Sequence, residues 1–281
     1  MNSRSAWLAA VLALGLAASL PQAAQAHRGW MLPSATVLSG SEPWVTVDAA
    51  VSNDLFYFEH NAMRLDNLQV LAPDGARLAA QNQNTGRYRS TFDVKLAASG
   101  TYKFAMVNDS LSASYKRDGE TRRLRGTAES IRKELPADAQ GVQVSRNQSR
   151  VEVFVTLGKP TERVLKPTGS GLELMPITHP NDLFVGDEAQ FRLLLDGKAA
   201  ADAQVTLIPG GIRYRDQLAE VKLVTDKDGR FSIKWPAPGM YWLNASLGGG
   251  HGAGSATQPA GTIEQPIRRT SYTATLEVLP Q

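Results

Sequence analysis

The chain has 281 residues, no cysteine, and 30 basic against 27 acidic side chains, a formal charge of +3. That composition excludes disulfides, thiolate metal centres and cysteine nucleophiles, and the charge surplus is too small to argue for nucleic acid as a partner. Stability has to come from apolar cores, and the length allows one large core or two ordinary ones.

The first 26 residues read as a secretory signal. Arg4 supplies the positive charge, Trp7 to Leu20 form an Ala/Leu-rich apolar run, and Ala24-Gln25-Ala26 is an A-x-A cleavage site. The apolar run is too short for a membrane span, so the expected product is exported, periplasmic and soluble, and it begins at His27. An amino-terminal histidine places a free α-amine and an imidazole Nδ1 on one residue, where both can chelate the same ion. An α-amine titrates near pH 8, so a metal displaces its proton easily.

Beyond the leader the pattern is all β. Ala35 to Leu38 and Trp44 to Val51 are β-rich, and the second alternates Trp44, Thr46 and Asp48 against Val45, Val47 and Ala49. Leu68 to Leu71 ends at the turn Ala72-Pro73-Asp74-Gly75. Arg89 to Leu96 and Gly100 to Val107 are expected to pair next. Tyr115 to Gln140 interrupts the pattern with seven basic residues, among them Lys116, Arg123 and Lys133, and reads as a solvated hairpin and helix. Thr127 is placed to cap that helix and Pro136 to stop it. Arg150 to Leu157 returns as a strand.

Lys159 to Gly171, rich in Pro, Gly and Thr, reads as a domain linker. Strand periodicity then restarts at Gln190 to Leu195, Ala203 to Ile208, Glu220 to Thr225 and Arg230 to Trp235, with Asp226 to Gly229 expected to join the last two as a hairpin. Met240 to Ser246 and Tyr272 to Leu279 close the chain. The expected architecture is two immunoglobulin-like β-sandwich domains, at 27–165 and 170–281, after a cleaved signal peptide at 1–26.

The four histidines are His27, His60, His179 and His251, and none is spaced to form a local metal motif with another. A site has to be assembled in three dimensions, from His27 and His60 with His179 or His251 completing it. Nitrogen donors of this kind suit nickel, cobalt, copper or zinc. Asp54, Glu59 and Asp66 offer oxygen atoms around His60. His251 lies in the run Gly248 to Gly254, where a loosely restrained ligand favours delivery over catalysis. There is no Gly-x-Ser-x-Gly elbow and no P-loop, and Asp226-Lys227-Asp228-Gly229 lacks the glutamate that a calcium loop requires.

The start His27-x-x-Trp30-x-Leu32-Pro33-Ser34, with Leu172 to Pro180, Phe184-x-Val-Gly-Asp187 and Asp228-Gly229-Arg230-Phe231, resembles the DUF4198 family. The resemblance implies a β-sandwich and a periplasmic role in nickel or cobalt uptake, of the NikK or NikM-associated kind. It also implies an inner-membrane transporter as partner and His27 as a ligand, and no catalysis. Two other classes compete. One is a copper histidine brace, as a carrier or as a polysaccharide monooxygenase for which Trp30 would be a surface aromatic. The other is a purely structural pair of modules without metal.

Overall fold

The computed structural model describes residues 27–248 and 261–281, so the expected leader and His251 lie outside the described residues. In the first half the strands are β1 (Arg28–Pro33), β2 (Val37–Leu38), β3 (Trp44–Ser52), β4 (Asn61–Ala62), β5 (Leu68–Leu71), β6 (Arg77–Leu78), β7 (Gln81–Thr85), β8 (Ser90–Lys95), β9 (Gly100–Arg117), β10 (Glu120–Gly126) and β11 (Gln140–Leu157). The second half holds β12 (Leu172–Pro176), β13 (Glu188–Leu195), β14 (Lys198–Ala199), β15 (Gln204–Pro209), β16 (Val221–Val224), β17 (Arg230–Lys234), β18 (Gly239–Leu247) and β19 (Ile267–Val278). The fold is an all-β, immunoglobulin-like sandwich.

One α-helix, α1 (Ala128–Glu134), lies between β10 and β11. Thr127 Oγ1 caps it by accepting from Ser130 N at 3.2 Å, which satisfies one of the free amides of its first turn. Ile131 is the side chain it buries, against Ala113 and Val144. The basic residues of the β9–β10 hairpin and α1 are mostly solvated, and several pair with acids, as Arg117 does with Asp138 at 3.1 Å and Arg132 with Glu264 at 3.0 Å.

A ten-stranded sheet runs through both halves in the order β16-β15-β18-β19-β11-β9-β5-β6, with β10 paired to β9 and β2 to β11, and β19 is joined to β11 in parallel from Ser145↔Ile267 to Val153↔Thr275. The sheet β1-β3-β8-β7 packs Met31, Val47 and Phe92 onto Phe104, Met106 and Val153. The sheet of β12, β13, β14 and β17 packs Leu174, Phe191 and Ile233 onto Leu243, Ala245 and Tyr272. Because partner residues share a face, Val151 and Thr273 point one way and Tyr272 the other. The two covering sheets therefore lie on opposite faces of the shared one. The halves have separate cores but a continuous sheet, whereas the sequence led us to expect two sandwiches joined through 159–171.

That stretch is not a slack spacer. Val164 and Leu165 are buried against Phe154, on the face of β11 that the first covering sheet leaves open. Thr161 and Thr101 exchange two hydrogen bonds of 3.0 Å between hydroxyl and backbone amide. The Glu173 carboxylate accepts from the amides of Thr168, Gly169 and Ser170 at 2.8–3.2 Å. Glu173 also faces Arg150, which bonds Glu152 at 3.2 Å, and Glu152 accepts from the Tyr272 hydroxyl at 2.9 Å. With Lys103 these groups form a buried set of two cations and two carboxylates, neutral overall. Burial, and then the Glu152 charge, push the Tyr272 hydroxyl far above its ordinary range, so it stays a donor.

Two expected pairings do not form. β8 pairs with β3 and β7 while β9 pairs with β11, and β16 pairs with β15 while β17 pairs with β13. In each case the turn crosses from one sheet to the other. Phe92 and Phe104 then meet across the first core at 6.0 Å, and Phe231 stacks on Phe191 in the second at 5.4 Å. Burial of apolar side chains outweighs the local hairpin.

Candidate functional site

His27 and His60 are brought together by β1 and β4, which both pair with β3. Along β1, Arg28 lies opposite Ser52 and Gly29 opposite Val51. β4 pairs with the same strand as Asn61↔Val51 and Ala62↔Ala50. Each histidine immediately precedes one of these strands, so both flank the same end of β3. Their rings stack, with centroids 3.7 Å apart and planes inclined by 7°. His27 is exposed and His60 half-buried.

The loop 53–60 that returns His60 is held from within. Glu59 Oε1 accepts from Asn53 N at 2.6 Å and Asp54 N at 2.9 Å. Ser52 Oγ accepts from Trp30 Nε1 at 2.8 Å and donates to Asp54 O at 2.6 Å. Leu55, Phe56 and Phe58 pack with Trp30, Ile208 and Trp242, which closes the part of the second half's sheet that its own covering sheet does not reach. Phe56 has φ +63°, a strained value for an aromatic residue, and lies so near Gly210 that a Cβ there would stand 2.9 Å from its ring. Glu59 thus braces the loop. Asp66 pairs with Arg64 at 2.8 Å in solvent and takes no part.

His27, but not His60, lines an open cleft of about 540 Å³. Thr206, Asn244, Thr273, Val151 and Met106 form one row of its floor across β15, β18, β19, β11 and β9, and Ser271, Ser149 and Asn108 form the next. His27, Gly29, Met63 and Glu220 close it from above and the side. Arg28 donates to Asn53 O at 2.6 Å and lies 5.9 Å from the Trp242 ring. Burial lowers the Arg28 pKa, and Glu220 and Asp54 oppose that shift.

His179 does not join the pair. Its Nδ1 accepts from Asn181 N at 3.2 Å, which leaves Nε2 to donate to Thr101 Oγ1 at 2.9 Å. Desolvation lowers its pKa and favours the neutral ring that this arrangement requires. Thr101 and Asn108, which mark the two places, are separated by about 20 Å of strand. Nε2 ties the residue to β9 and Nδ1 holds its own turn at Asn181, so His179 is a structural histidine. His251 lies outside the described residues; the chain leaves β18 at Gly248, just past the Ser246↔Ser271 row of the cleft floor. Trp30, weighed as a surface aromatic for polysaccharide, is fully buried. Among the described residues no three His, Cys, Asp or Glu side chains converge on a ready-made metal site.

Sequence reasoning missed Met63, Met106, Trp242 and the polar floor. The one signal for the floor was the loss of apolar alternation along β9 after Val107, where Asn108 to Ser110 are all polar.

The family model for DUF4198, a domain of unknown function, matches residues 24–249. The search of curated proteins finds no match. Among solved structures, the human OSCAR ligand-binding domain is 13% identical, with 90% of this chain and 99% of that one covered and a TM-score of 0.20. The Escherichia coli alpha-2-macroglobulin activated by porcine elastase is 11% identical, covering 89% of this chain and 31% of its own, with a TM-score of 0.21. The D0-D1 domain of Intimin is 11% identical over 88% and 97%, also with a TM-score of 0.21. Scores this low carry no argument.

Proposed function

The chain belongs to the DUF4198 family, and we propose that it is a periplasmic carrier of a late first-row transition metal, which His27 and His60 hold as cargo. The observation that carries the reading is the 3.7 Å stack of the two rings, with His27 on the lining of an open cleft. Two nitrogens bound to one ion at about 2.0–2.1 Å lie at most about 4 Å apart, so the pair is within reach of a shared ion once the rings turn edge-on to it. Cleavage after Ala26 supplies a third nitrogen, the α-amine of His27, and water fills the open positions. Nickel and cobalt fit this donor set, as do copper and zinc.

A carrier must also release its ion. His27 is exposed and sits before the first residue of β1, so a transporter in the inner membrane can approach it without unfolding anything. Trp30 is buried and so is no platform for a polysaccharide, and the exposed position of His27 favours delivery over oxidation.

The test is metal titration of the processed chain, its amino terminus checked by mass spectrometry, beside His60→Ala and a form with one residue added before His27. The reading expects Ni(II), Co(II) or Cu(II) to bind the processed chain, with at least about tenfold weaker binding in both altered forms. Equal affinities in all three forms, or no binding at all, would overturn it.

A further inference from the structure

We infer that the cleft under His27 is a copper(I) site in which the thioethers of Met63 and Met106 join the two imidazoles. The inference rests on the carrier reading and narrows its metal.

Along β1, His27, Gly29 and Met31 share a face, and Met31 enters the first core. Gly29 contributes no side chain between them. The space is taken by Met63, whose Cε would lie 3.2 Å from a Cβ at position 29. The thioether end of Met63 therefore rests on the backbone two residues from His27. Met106 rises from the opposite wall, in the floor row of Val151 and Thr273, and both methionines line the same cleft as His27.

Met63 and Met106 are also buried in the first core, at 8% and 2% exposure. An unbranched methionine side chain can fill a core and still turn its sulfur toward an ion at its edge. The donors are then the His27 imidazole on the cleft lining, the His60 imidazole stacked on it and the two thioethers, none of which carries a negative charge. The carboxylate on the lining, Glu220, is paired with Lys222 at 2.8 Å. Thioether is a soft ligand that favours copper(I), whereas nickel(II) and cobalt(II) gain little from it. The lining also carries the Arg28 guanidinium, which offsets the Glu220 carboxylate, so a monovalent ion costs less to bury there than a divalent one.

The experiment uses the processed chain and the Met63→Leu/Met106→Leu double variant, in which leucine keeps the bulk of each side chain. Copper(I) affinity is read by competition with bicinchoninate under ascorbate, nickel(II) and copper(II) affinities by titration, and the ligand atoms by copper X-ray absorption. Thermal melting of both proteins verifies that the variant is folded, and single Met63→Leu replaces it if it is not. The expected result is a copper(I) affinity lowered at least about tenfold, with nickel(II) and copper(II) unchanged and a sulfur shell lost from the absorption spectrum. Unchanged copper(I) affinity with nitrogen scatterers alone would overturn the thioether site and leave the carrier reading standing. Failure of the processed chain to bind any of the three ions would remove both.

Discussion

The indole nitrogen of Trp242 donates to the carbonyl of Gly29 at 3.0 Å, across 213 positions of sequence. It ties β18 to β1 two residues after His27, so the second half of the chain holds the strand that presents the candidate ligand. Trp242→Phe keeps an aromatic ring on Ile208 and Leu55 but leaves that carbonyl without its donor. The expected cost is about 1–3 kcal/mol in urea unfolding, with faster amide exchange along β1. No change in either would show that the contact holds nothing in place.

Gly29→Ala brings a Cβ to 3.2 Å from the flexible end of Met63, which has to move by a few tenths of an ångström. Stability should change by less than about 1.5 kcal/mol. The Met63 methyl resonance should shift, and copper(I) affinity should fall while nickel(II) affinity holds. A copper(I) affinity equal to that of the unaltered protein would argue that Met63 only fills space.

Glu173 gathers three backbone amides of the 159–171 segment and faces Arg150 in a buried setting. Glu173→Ala leaves two buried cations, Arg150 and Lys103, to share the one carboxylate of Glu152, and frees those amides together. Chemical denaturation should register a loss of about 3–5 kcal/mol, and protease should cut near Lys166 sooner. A loss below about 1 kcal/mol would mean that the segment is held by Val164 and Leu165 alone.

For His179 the direction of the pH effect follows from its lowered pKa. A histidine harder to protonate when folded takes up its proton more readily in the unfolded chain, so stability is full above the ordinary 6.5 and drains as the pH falls below it. His179→Asn keeps an acceptor for Asn181 N and cannot titrate. Unfolding curves between pH 7.5 and about 5 should show a smaller acid-side loss for this variant than for the parent. Parallel pH profiles would refute the assignment.

Much of the strand pattern was legible. The alternation in Trp44 to Val51 gave β3, and Thr127 and Pro136 bounded α1. What joins which strand was not legible. Asp226 to Gly229 looks like a hairpin turn and closes like one, yet it carries Arg230 to another sheet, where Phe231 stacks on Phe191 in the second core. The histidines divide the same way. Position 27 stood out for its place at the predicted cut, and its neighbour His60 depended on two registers against β3. His179 resembled a ligand in sequence, and only the hydrogen bonds on both of its nitrogens reveal a support. Met63 and Met106 gave no signal in the sequence, and most of each side chain lies in the core.

The parallel seam between β11 and β19 has a consequence for how such a chain can be inherited or engineered. Severed near residue 165, each fragment would bare one partner of nine matched residue pairs, a long raw edge that invites other strands. Fragment expression should therefore give aggregates, or a complex that re-forms when both pieces are made together. Recombination that exchanges one half must bring a matching edge with it. The heritable unit is then the whole fold, and its two ends have to vary in concert.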